Sequence, residues 1–165
     1  MEETFYDAAD NGKVEEVKDI LRKNPSLNVN WKNEGDDDRT ALYAACFHDH
    51  DSVVSVLLAH PDIDPNLKDN DGWTPFWRVC GNGSTSCVRL LLQDQRVMVN
   101  EPNNGGVTPL WWAAYPCRHI SGDPGPCFQL QPGQSGPPIP RVGHPFSFHP
   151  FSHSIFLIVT ALHFY

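Results

Sequence analysis

Asp71-Gly72-Trp73-Thr74-Pro75-Phe76-Trp77 is the stretch on which the reading of this chain turns. Thr-Pro opens a helix well, because the hydroxyl can cap a free N–H of the first turn and proline has no N–H of its own to leave unsatisfied there. The Asp-Gly before it is a turn signal, with glycine available for positive φ. A similar run recurs at Thr108-Pro109-Leu110-Trp111, and a looser one at Thr40-Ala41-Leu42-Tyr43, so three threonines stand 34 and 34 residues apart. Self-similarity at such a fixed period is the signature of a repeat array.

Working outward, small or modest residues follow each threonine as Ala45-Cys46, Val79-Cys80 and Ala113-Ala114, where they let two helices approach closely. Val54, Leu57 and Leu58, and then Val88, Leu91 and Leu92, stand at i, i+3 and i+4, which places an apolar stripe on one face of a second helix. Asn66 and Asn100 close these units. An earlier unit aligns on Ala8-Ala9, with Val17, Ile20 and Leu21 as its stripe and Asn30 as its close. The step to the next unit is 37 residues, because the loop holding Asp36-Asp37-Asp38 is longer. A repeat array tolerates insertion in a loop while its helices keep their pattern. Asp69-Asn70-Asp71-Gly72 and Asn103-Asn104-Gly105-Gly106 mark the turns between units.

These runs, their period and their closings resemble the ankyrin repeat over residues 2–115. The resemblance implies an all-α solenoid of helix-turn-helix units joined by hairpin loops. About three and a half repeats are expected, at about 2–30, 31–66, 67–100 and a truncated 101–115, followed by a mostly irregular tail. The histidine usual after Thr-Pro-Leu is replaced by Tyr43, Trp77 and Trp111. That histidine organises hydrogen bonds between neighbouring repeats, so these aromatics are expected to fill the space by packing instead. Thr85, in a Gly81-Asn82-Gly83-Ser84 context, starts its helix poorly and makes the third repeat the expected loose one.

Composition divides the chain at about residue 115. Residues 1–115 hold 19 acidic and 10 basic side chains, whereas 116–165 hold one acid and two bases but nine prolines and five histidines. The scattered, outnumbered Lys and Arg argue against nucleic acid, since phosphate binding works by counterion release at clustered cations. The five cysteines are odd in number, and Cys46 and Cys80 fall at buried helical positions, as in a reducing compartment. Met-Glu-Glu-Thr is no secretory signal, so a cytoplasmic chain is expected, the nucleus also being open to it.

Pro116 cuts the fourth unit in half, since proline and the glycines after it forbid a second helix. Residues 116–150, rich in Pro, Gly and His, are expected to be disordered, with Gly136-Pro137-Pro138-Ile139-Pro140 able to form a short polyproline helix. Residues 151–165 form a short apolar segment around Ile155-Phe156-Leu157-Ile158-Val159. It spans a membrane only if His149, Pro150 and His153 are included, so a strand or helix covering the open end of the stack is the preferred expectation. An altered splice or truncated gene model would also begin abruptly in mid-repeat.

No constellation of catalytic residues survives the repeat register. His48, Asp49, His50 and Asp51 fall in the turn between two helices, where solvated polar residues are expected. Cys117, His119 and Cys127 lack a fourth ligand and match no zinc spacing. Gly81-x-Gly83 lacks the lysine and strand of a phosphate loop. Glu34 with Asp36-Asp37-Asp38 lacks the alternating ligands of a calcium loop, and reads as a solvated tip or a contact for a basic partner.

The expected activity is therefore non-enzymatic protein binding, with no cofactor, metal, nucleic acid or small-molecule substrate, and with a partner of basic character. By resemblance the contacts lie on hairpin tips and the concave helix face: Asp36, Asp37, Arg39, Phe47 and His48; Asn70, Asp71, Trp73, Arg78 and Asn82; Asn104, Val107, Trp112 and Tyr115. Two alternatives stand beside this reading. One is a fragment or isoform of a larger repeat protein whose other domains carry the activity; the other is an adaptor held at a membrane by the terminal apolar run.

Overall fold

The computed structural model describes residues 1–109. The fourth unit beyond Pro109, residues 116–150 and the apolar segment 151–165 lie outside the described residues.

Three helix pairs follow one another: α1 (Glu2–Asp10) with α2 (Val14–Lys23), α3 (Ala41–Phe47) with α4 (Asp51–Leu58), and α5 (Pro75–Asn82) with α6 (Thr85–Gln93). α1 packs on α3 and α3 on α5 as one row, while α2 packs on α4 and α4 on α6 as a second. The fold is mostly helical. Among the described residues the one departure from an all-α reading is the short antiparallel pair β1 (Lys32–Asn33) and β2 (Arg39–Thr40), in register Lys32 to Thr40 and Asn33 to Arg39.

The helices start where local chemistry says they should. Thr40 Oγ1 accepts from the Tyr43 N–H at 3.2 Å and Thr74 Oγ1 from the Trp77 N–H at 3.2 Å, with Pro75 in the first turn. α6 starts less firmly, since its N-cap Ser84 makes no side-chain cap bond. α2 places Glu15 and Glu16 in its first turn and Arg22 and Lys23 in its last, each complementing the helix dipole.

The small residues admit the close approach that the repeat pattern requires. Ala8, Ala9, Ala45, Cys46, Val79 and Cys80 are buried, and the stripes Val53-Val54-Leu57 and Cys87-Val88-Leu91 are wholly enclosed between the two rows. Val17 and Ile20 do the same in the first repeat. Each of the Val, Leu and Ile side chains contributes about 1.5–3 kcal/mol on burial, and the buried residues form one continuous core along the stack.

Bonds from asparagine side chains to the main chain repeat with the period. The Asn30 amide donates to Asp62 O at 2.8 Å and accepts from the Asp64 N–H at 2.9 Å. Asn66 does likewise with Arg96 O at 2.8 Å and the Met98 N–H at 2.7 Å. The closing asparagines thus bind each repeat to the next. Arg96 adds a second link: its guanidinium donates to Leu58 O at 2.6 Å and to His60 O, Pro61 O and Ile63 O at 3.2 Å, capping the end of α4. It also holds the Asp94 carboxyl below its ordinary pKa by direct hydrogen bonding.

Candidate functional site

The hairpin face is organised by one aromatic residue per repeat. Tyr6, Tyr43 and Trp77 occupy equivalent positions in α1, α3 and α5, and all three are buried. The expectation that aromatics here work by packing instead of hydrogen bonding is corrected. Tyr6 OH donates to the Asp36 carboxylate, Tyr43 OH is bonded to Asp69, and Trp77 Nε1 donates to Val107 O at 3.2 Å. Each therefore packs between helices and also reaches the hairpin of the following repeat. A phenol or indole can do both, because its polar atom sits at the far edge of a large apolar ring.

The hairpins are stitched to one another through their main chains. Asn70 N–H donates to Asp37 O at 2.9 Å, and Asn104 N–H donates to Asp71 O at 3.1 Å. The Asn104 amide adds a bond to Asn70 O at 3.0 Å. Asn70, Asp71 and Asn104 are thus fixed at the exposed tips, with the Asp71 side chain turned to solvent. In the longer first hairpin, Asp37 and Asp38 adopt left-handed conformations at φ 53° and 57°. Aspartate accepts that region more readily than most residues.

Of the sequence-predicted contacts, Asp36, Asp37, Arg39, Phe47, Arg78 and Asn82 come together in one strip. Arg39 pairs with Asp36 Oδ1 at 2.8 Å and Asp37 Oδ2 at 2.9 Å. Its Cζ lies 5.3 Å from the Phe47 ring centroid and 5.5 Å from that of Tyr43. Arg78 stacks on Phe47 with its Cζ 3.9 Å from the centroid, and Asn82 Nδ2 donates to Phe47 O at 2.9 Å. Phe47 is flanked by two guanidinium groups, each attracted to the negative face of the ring. Burial opposes the charge on Arg39, but Asp36, Tyr43 and Asp37 outweigh it and raise the pKa above its ordinary value.

The remaining predicted residues lie around this strip. The His48 ring is 4.8 Å from Phe47, and its Nε2 is 3.2 Å from Asp10 Oδ1. Trp73 is half-buried with its ring edge against Trp77. Val107 is half-buried and supplies the carbonyl for Trp77. Trp112 and Tyr115 lie outside the described residues.

The inter-helix turn is more than a solvated loop. His50 Nε2 lies 3.0 Å from Asp10 O, which can only accept, so that nitrogen carries a proton. Asp49, at φ 59°, accepts from Cys87 Sγ at 3.3 Å. His50 therefore ties the turn to the first repeat and Asp49 ties it to the third. Sequence reading missed these roles, and those of Asp69, Asn30, Asn66 and Arg96. Among the described residues no group of three or more His, Cys, Asp or Glu stands where it could share a metal ion, and no helix is long and apolar enough to cross a membrane.

Comparison with known families settles the class. The family described as "Ankyrin repeats (3 copies)" matches residues 61–121, and "Ankyrin repeat" matches residues 37–70. The chain belongs to the ankyrin repeat family. No curated protein matches it. Ankyrin repeats are generally protein–protein interaction modules and are typically non-enzymatic.

Burial of thiols and phenols gives this ankyrin stack an alkaline limit. Burial raises the pKa values of Cys46 and Cys80. Burial and the Asp49 hydrogen bond push Cys87 up to about 12. Burial, with hydrogen bonds to Asp36 and Asp69, raises Tyr6 and Tyr43. The ordinary values are 9.0 for the thiols and 10.0 for the phenols. Above them the unfolded chain releases protons that the native state keeps, so stability is intact below about pH 9 and falls as pH rises. The urea midpoint is expected to drop steadily from about pH 9 to about pH 11. A midpoint unmoved across that range would show that these groups are solvated in the native state.

Proposed function

We propose that this chain is a protein-binding module that receives a basic segment of its partner across the hairpin tips, with the Arg39–Phe47–Arg78 strip as the adjoining contact. The observation that carries the reading is this strip. Arg39, Phe47 and Arg78 stand partly exposed with Arg39 paired to Asp37, and the tips Asp37, Asn70, Asp71 and Asn104 are joined by inter-hairpin bonds. Pre-organised, partly exposed Arg and aromatic side chains are what interface hot spots are made of. The net charge of −8 and the acidic tips favour a cationic partner and speed its approach. The buried free thiols Cys46, Cys80 and Cys87 support placement in a reducing compartment of the cell.

Affinity capture from cell extract with the full chain tests the reading. Asp71→Lys is expected to reduce the recovered partner about tenfold, as like charge at a contact costs at least 1.4 kcal/mol. Asp62→Lys makes the same charge change in the loop after α4, away from the hairpins, and is expected to leave recovery unchanged. Equal loss in both variants would point to overall charge rather than to the tips. No loss in either would remove the tips from the interface.

A further inference from the structure

Asn11-Gly12, Asn82-Gly83 and Asn104-Gly105 share a chemistry that the other described asparagines lack. The carboxamide carbon of an asparagine is open to attack by the main-chain nitrogen of the next residue, and a glycine there has no Cβ to obstruct the approach. Every other described asparagine precedes a residue with a side chain or, at Asn24, a proline.

All three asparagines are exposed, so exposure does not rank them. What holds the glycine N–H does. The Gly12 N–H donates to Ala9 O at 3.2 Å and the Gly83 N–H to Val79 O at 3.0 Å, closing the last turns of α1 and α5. Asn11 Nδ2 donates to Asp7 O at 2.7 Å in the same turn, and Asn82 Nδ2 to Phe47 O at 2.9 Å in the neighbouring repeat. Gly12 also lies under the His50 ring, where a Cβ would stand 2.7 Å from Nδ1. Reaction at either pair must open the end of a packed helix.

Gly105 is held differently. Its N–H donates to a side chain, Asn103 Oδ1 at 3.0 Å, and that oxygen is shared with the Val107 N–H at 2.9 Å. Asn104 Nδ2 donates to Asn70 O at 3.0 Å. Rotation of Asn103 frees the nitrogen, and neither bond belongs to a helix. A turn opens more readily than a helix end packed on its neighbours.

We propose that Asn104 is a site of spontaneous deamidation in the folded chain. The Gly105 nitrogen gives its proton to solvent and bonds to Asn104 Cγ. The Cγ–Nδ2 bond breaks, ammonia leaves with a proton from water, and a five-membered succinimide remains. Water then opens the ring at Cγ to give aspartate, or at the Asn104 main-chain carbonyl carbon to give isoaspartate. No oxidant or reductant is consumed. Either product carries a new carboxylate and loses the Nδ2 donor that Asn70 O accepts. Isoaspartate also lengthens the main chain by one methylene beside the Asn104 N–H that donates to Asp71 O. The site is independent of which partner the hairpin face binds.

Peptide mapping of the full chain by mass spectrometry tests it, after warm storage at a pH below the alkaline limit of the stack. Asn104 is expected to convert about tenfold faster than Asn11 and Asn82, and to yield both aspartate and isoaspartate. In urea the three rates should converge, because glycine follows each and only the fold sets them apart. Gly105 is outside the left-handed region, so Gly105→Ala is tolerated and should slow Asn104 about tenfold while Asn11 and Asn82 are unchanged. Native conversion at Asn104 no faster than at the other two overturns the proposal. So does a ratio that persists in urea, which would assign the difference to local sequence, or aspartate without isoaspartate, which would mean direct hydrolysis.

Discussion

Replacing Gly72 with alanine is expected to lower the stability of the stack by about 3 kcal/mol, combining left-handed backbone strain with a steric clash. Gly72 has φ +82°, a region that costs an alanine about 1–2 kcal/mol. The new Cβ would also lie 2.3 Å from Asn104 Oδ1 and 2.6 Å from the Asn104 backbone nitrogen. That nitrogen donates to Asp71 O, so the hairpins must part to make room, and the contact broken is the one that orders the tips. Gly106 separates the two effects. It has φ +75° with nothing within 4 Å of a Cβ, so Gly106→Ala should show only the conformational cost, about 1 kcal/mol. Urea unfolding of both variants checks this, and equal losses would mean that the clash at Gly72 is relieved by movement of the hairpin.

The contrast between these two glycines shows what was legible in the sequence. Asp71-Gly72 and Gly105-Gly106 both announce a turn, and the helix starts at Thr40 and Thr74 followed from the side chains that cap them. Such signals are local, carried by residues three or four positions apart. The bonds between repeats join atoms some 30–40 residues apart, and the sequence does not state which atoms meet. Asn66 was readable as the close of a unit, but not as the amide that binds Arg96 O and the Met98 N–H. Tyr43 was readable as a departure from histidine and hence as packing alone. Its hydroxyl is satisfied only because the next hairpin presents Asp69. For the candidate site, repeat register named Arg39, Phe47, Arg78 and Asn82 as contact candidates, and the structure places these four side by side. The stacking of two guanidinium groups on one ring depends on side-chain conformations that register does not fix.

Asp69 is where the second large effect is expected. Only 9% exposed, it accepts from the backbone N–H groups of Asp71 at 3.1 Å and Trp73 at 2.9 Å, and from the Tyr43 hydroxyl. Asp69→Ala leaves three donors without their acceptor, at a cost of about 3 kcal/mol given roughly 1–3 kcal/mol for each buried group stranded. Asn103 occupies the same place in the next hairpin, where its Oδ1 accepts from the N–H groups of Gly105 at 3.0 Å and Val107 at 2.9 Å. An amide oxygen therefore suffices for the turn itself, and Asp69→Asn should cost about 1 kcal/mol, mainly through a weaker bond to Tyr43. Tyr43→Phe removes the same bond from the other side. In a double-mutant cycle of Asp69→Asn with Tyr43→Phe, the losses should be less than additive by about 0.5–1 kcal/mol. Strict additivity would show that the phenol contributes by packing alone, and that the link from α3 to the following hairpin has no energetic weight.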